Sequence, residues 1–115
     1  MGDAMYMNVN DASIERIRKM ENIFDNAQSA VKEIRKAIEK YSSAESDIKV
    51  LLKYYGSDEW KQDYRLDEEG KLPAELKRGV LSEDGIWNFL EDLRELADEM
   101  TETAEMVEKT AGDKE

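Results

Sequence analysis

Residues 17–41 read IRKMENIFDNAQSAVKEIRKAIEKY, and their apolar positions decide the fold. Ile17, Met20, Phe24, Ala27, Val31, Ile34, Ile38 and Tyr41 follow one another at spacings of 3, 4, 3, 4, 3, 4 and 3. An α-helix gathers such positions on one side, whereas a half-buried strand needs strict alternation. Ile23, Ala30 and Ala37 add a third column beside this seam. The stripe is then as wide as the face a helix shows inside a bundle, and the two alanines allow close approach. On the polar side Glu33 and Lys36 attract at helical spacing while Lys36 and Lys40 repel, both weakly.

Upstream, Asn10, Asp11 and Ser13 offer capping oxygens and Glu15 complements the positive end of a helix dipole, so the helix is expected to start near Asp11. Residues 1–10 are read as a disordered N-terminal segment, with an appended remnant before Met7. Downstream, Ser42 and Glu45 have the spacing of a capping box, and a break is expected at Ser42 and Ser43. No Gly or Pro enforces it, and the seam could run on through Ile48, Leu52 and Tyr55 as one helix of more than forty residues. Ordinary helix lengths favour the break. Residues 48–55 hold six hydrophobic side chains in eight positions, the composition of a buried middle helix.

Gly56 supplies a left-handed helix stop, and Ser57, Asp58 and Glu59 restart a helix carrying Trp60 and Tyr64 one turn apart. Asp67, Glu68, Glu69 and Gly70 end it, and Lys71, Leu72 and Pro73 open a short turn through Leu76 that stops at Gly79. Ser82, Glu83 and Asp84 then start a last helix. Its Ile86, Leu90, Leu93, Ala97, Met100, Ala104 and Val107 repeat at 4, 3, 4, 3, 4, 3, with Phe89 and Leu96 beside them. The first and last helices are matched in length, about 40 Å each at 1.5 Å per residue, and are expected to lie side by side. The expected fold is all-α: an antiparallel helical bundle of three main helices, forming one domain over residues 11–107, with a frayed tail at 108–115.

The 115 residues include no Cys and no His, which excludes disulfide scaffolds, zinc fingers, thiol nucleophiles and imidazole bases. The net charge is −11, unevenly spread: residues 1–81 hold 16 acids and 14 bases, residues 82–115 hold 12 and 3. Such a balance opposes nucleic acid and anionic membranes as partners, and no apolar run is long enough for a span or a signal peptide. A cytoplasmic location is the default expectation.

Catalysis would need carboxylates with a hard metal, or an activated Ser, Thr, Lys or Tyr. Glu91, Asp92, Glu95, Asp98 and Glu99 form the best acidic set, but they lie largely opposite the last seam and lack a second carboxylate helix facing them. Asp63, Asp67, Glu68 and Glu69 before Gly70 lack the alternation of an EF-hand loop and read as a solvated turn. The Lys77, Arg78, Gly79 turn could hold an anion at the last helix, although Glu83 and Asp84 already serve that helix end. The chain is therefore expected not to be an enzyme and to carry no catalytic residues, cofactor or metal. Tyr54, Tyr55, Trp60 and Tyr64 place four of the nine aromatic residues within eleven positions. Together with Lys77, Arg78 and Trp87 they form the candidate interaction or pocket surface, against the alternative that the rings plug one end of the bundle.

The segments Tyr54-Tyr55-Gly56-Ser57-Asp58-Glu59-Trp60-Lys61-Gln62-Asp63-Tyr64, Gly70-Lys71-Leu72-Pro73 and Leu76-Lys77-Arg78-Gly79-Val80-Leu81-Ser82-Glu83-Asp84 resemble the signature of an uncharacterised family of short bacterial helical proteins, classed as a domain of unknown function. The resemblance covers about residues 14–100. It implies a small cytosolic bacterial protein and brings no activity, ligand or site residue with it. The expected function is a protein interaction module with a protein partner, a second copy of the chain being one candidate. A magnesium-dependent phosphohydrolase and an acidic mimic of nucleic acid that occupies a basic protein are the alternatives.

Overall fold

A computed structural model of the chain describes residues 10–113. Among them are three α-helices, one 3₁₀ turn and no strand: α1 at Asp11–Tyr54, α2 at Asp58–Glu68, the 3₁₀ turn at Gly79–Leu81 and α3 at Glu83–Gly112. The fold is all-α. The expectation for residues 1–9 lies outside the described residues.

The helix count is met, but the chain is divided differently from the sequence expectation. α1 runs without interruption for 44 residues, so the break at Ser42 and Ser43 does not occur. Two serines cost a helix only tenths of a kcal/mol each, whereas stopping one takes a left-handed residue or a missing donor. Neither is present before Gly56, whose φ of 81° ends the helix where a side chain would be strained. Residues 48–55 are consequently the end of α1 and its following turn, not a separate middle helix. They are half-buried at Ile48, Leu51, Leu52, Tyr54 and Tyr55, and Val50 faces water.

The chain forms two compact units, Met1–Ile48 and Lys49–Glu115. The described part of the first unit is Asn10 and the α1 helix up to Ile48, started by the Asn10 side chain accepting from the Ser13 amide at 2.7 Å. The second unit holds the end of α1, α2, the 3₁₀ turn and α3. Its core is Trp60, Leu81 and Ile86, one residue from each of the last three elements.

The joints of the second unit follow the punctuation of the sequence. Ser57 Oγ accepts from the Trp60 amide at 3.1 Å and caps α2. At its other end the Gly70 amide donates to the Asp67 carbonyl and the Lys71 amide to the Leu66 carbonyl, with Gly70 at φ 69°, a Schellman ending. Residues 73–76 close one hydrogen-bonded turn. Helical structure then resumes at Gly79 rather than stopping there. Ser82 serves two elements at once: its amide donates to the Gly79 carbonyl, closing the 3₁₀ turn, and its Oγ accepts from the Gly85 amide at 3.2 Å, opening α3. Both α2 and α3 pack on this turn. α3 continues to Gly112, past Glu108 where fraying was expected.

Candidate functional site

Trp60 anchors the second unit. It is only 6% exposed, and its indole Nε1 donates to the Val80 carbonyl at 2.8 Å, joining residues twenty apart in sequence. Tyr55 meets the indole edge-on, with centroids 5.2 Å apart and planes at 76°, and Tyr64 stacks on it at 5.2 Å and 23°. Such ring pairs add stability beyond the area they bury. Tyr55 and Tyr64 thus flank the indole, and Tyr54 lines a hollow with Val80 and Leu81 of the turn it holds. Trp87 stands 58% exposed on the first turns of α3.

Two acids on α2 complete this arrangement, and sequence reasoning assigned them to a solvated turn. They sit one helical turn apart. The Tyr54 hydroxyl donates to Asp63 Oδ2 at 2.6 Å, and Arg78 Nη1 donates to Asp67 Oδ1 at 2.7 Å in a half-buried ion pair. The first bond, with the Asp63 charge and burial, pushes the Tyr54 hydroxyl up to about 12. The Glu68 carboxylate raises Tyr64 as well, helped by burial, Glu83 and Asp67. The usable signal in the sequence was the spacing of Asp63 and Asp67 after a serine cap, which puts both on one face of a helix.

A half-open hollow is lined by Tyr54, Asp63, Leu72, Leu76, Lys77, Arg78, Val80 and Leu81. The tyrosine, the arginine and their aspartates are engaged with each other, so its wall is mostly aliphatic, with Lys77 at its edge. Lys77 also borders a second shallow hollow with Gly79, Val80, Gly85 and Ile86. The first turn of α3 there directs its Gly85 amide to Ser82. Among the described residues no group of three or more carboxylates could hold a metal ion, and no helix is long and apolar enough to cross a membrane.

The first unit presents a different surface. Ile17, Met20, Ile23, Phe24, Val31, Ile34 and Ile38 are each 49–59% exposed. Where the small Ala27 interrupts the larger residues, a groove opens between Phe24 and Val31 and is bordered by Gln28, Lys32 and Arg35. On α3 Leu96, Met100, Met106 and Val107 are open too, while Leu90 and Leu93 are half-buried and Ile86 is buried.

A family model for a domain of unknown function, DUF4298, matches residues 17–103. The chain belongs to this family. The matched span begins on the first residue of the exposed seam and takes in the whole indole anchor, so both features lie inside the family's domain. No curated protein and no solved structure matches the chain. The family brings no activity with it, and the functional reading rests on the two surfaces just described.

Proposed function

We propose that this member of the family is a helical protein interaction module whose docking surface is the apolar seam of α1. The observation that carries the reading is the row of half-exposed Ile, Met, Phe and Val side chains from Ile17 to Ile38. Covering the open half of each would gain about 1 kcal/mol, from about 1.5–3 kcal/mol for complete burial. An exposed ion pair typically gives less than that, so burial supplies the affinity and charge the selectivity. The geometry suits another helix: heptad positions with a flanking column accept side chains of a partner helix into the holes between them. α1 carries nine bases and eight acids, a balance that fits a protein surface better than an anionic lipid layer.

The second unit, in this reading, is a folded body of its own, held by the aromatic anchor at Trp60. Binding and not catalysis is the proposed activity.

A photo-reactive phenylalanine analogue placed at Ile34 tests the docking surface in intact cells, with Ser29 on the opposite face of α1 as control. Adducts to a polypeptide from position 34 and not from 29 are expected. Equal labelling from both positions, or none from position 34, would refute the reading. The mass of the adduct separates a second copy of the chain from any other partner.

A further inference from the structure

We infer that the occupant of the α1 seam is the α1 seam of a second copy, paired antiparallel about a two-fold axis at residue 29. This rests on the reading of α1 as a docking helix and adds the identity and direction of the partner.

Among the described residues three apolar helical surfaces are on offer. The end of α1 and the start of α3 are already half-buried within the second unit. The open part of the α3 seam, from Leu96 to Val107, spans about half the length of the α1 seam, so it cannot cover that seam. α3 also bears ten acids against two bases, and two copies of it side by side would repel. The α1 seam matches itself in length, and its helix is almost neutral.

The order of residues along the seam is self-complementary when reversed. Antiparallel pairing about residue 29 sets Ile17 opposite Tyr41 of the second copy, Met20 opposite Ile38, Phe24 opposite Ile34 and Ala27 opposite Val31. Each layer then joins one a position to one d position, and the hollow over Ala27 receives a larger side chain. Ala30 meets Ala30 of the second copy beside the axis, where small residues permit close approach. On the other flank Gln28 meets Gln28, and Glu21 faces Arg35 of the second copy, twice by symmetry. A parallel pair loses these matches: it stacks Ala27 on Ala27, leaving a void, and sets Arg35 beside Ala30. A self-complementary patch of this kind is what a two-fold interface requires.

Charge reversal tests the pairing. Dimerisation of the full chain is measured by sedimentation equilibrium for wild type, Glu21→Arg, Arg35→Glu and the double variant. Each single reversal puts like charges together at two symmetric places and is expected to weaken the dimer by about tenfold, with the double variant restored to near wild type. Both positions involved are exposed, so folding is not at stake. A second measurement reads direction: spin labels on Glu15→Cys, the only thiol of that variant, should lie about 42 Å apart along the axis, 28 residues at 1.5 Å. Labels level with each other show a parallel pair and overturn the inference while leaving the docking surface intact. Reversals without effect on a dimer place the contact on another surface, α3 included. A chain that stays monomeric while position 34 cross-links to another protein overturns self-pairing and keeps the docking helix; monomer with no cross-link removes both.

Discussion

Replacing Trp60 measures how much of the second unit hangs on one side chain. In Trp60→Phe the indole donor to Val80 is lost, together with the part of the ring that benzene does not replace. Val80 is itself open to water, so its carbonyl can be resolvated, and the hydrogen bond should contribute about 1 kcal/mol rather than the larger penalty of a buried orphan. The lost ring area and the weakened contacts to Tyr55 and Tyr64 add about another 1 kcal/mol. Trp60→Ala removes nearly the whole side chain from a core of three buried residues, and about 4 kcal/mol is expected. Amide hydrogen exchange across Asp58–Glu68 provides the assay, since it reads the opening of α2 directly. At 1.36 kcal/mol per decade, protection should fall about 30-fold for the phenylalanine and about 1,000-fold for the alanine. Trp87→Phe is the control: with 58% of that residue already in water, a change of less than about 0.5 kcal/mol is expected. If Trp60→Phe leaves exchange within twofold of wild type, the indole does not anchor α2.

Two further expectations follow from local geometry. The Tyr54 hydroxyl, held up to about 12 by its bond to Asp63, favours the neutral form in the folded state. Its contribution to stability is therefore complete below pH 10, the ordinary tyrosine value, and is lost as pH climbs through about 12. Ultraviolet titration of tyrosinate should show one late tyrosine that returns to the ordinary range in Asp63→Asn; an unchanged titration in that variant would count against the bond. At Gly85 a Cβ would stand 3.2 Å from the Gly79 carbonyl, tighter than ordinary contact. Gly85→Ala should thus fail to yield the ~1 kcal/mol that a Gly→Ala exchange brings in an open helix, as read by urea unfolding; the full gain would show that the 3₁₀ turn moves away freely.

The parts of this structure that the sequence made legible are those set by one residue and its immediate neighbours. Ser57 and Ser82 are caps because their oxygens reach an amide three residues on, and Gly56 and Gly70 are stops because the backbone there is left-handed. The heptad seams were legible for the same reason, as consequences of helical period. Ser42 misled because a capping-box pattern is permissive: the same residues are tolerated inside a helix when nothing forces the chain out of it. The anchoring bond of Trp60 could not be read, since its acceptor is a backbone carbonyl that every residue carries. Asp63 and Asp67 were visible as acids, but their partners come from across two turns, and only the packing of α2 brings them together. Likewise the sequence marks which stripe of α1 is apolar and says nothing of whether the same chain covers it.

The double service of Ser82 bears on how this domain can change length. With one residue closing the 3₁₀ turn and opening α3, there is no spacer in which an extra residue could be absorbed. An insertion between Gly79 and Ser82 would shift Leu81 or Val80 out of register with the indole, whereas residues 73–77 are exposed and bound by a single turn. Length variation among relatives should accordingly collect around Pro73 and Lys77, and the four positions after Arg78 should keep their count even where their side chains differ.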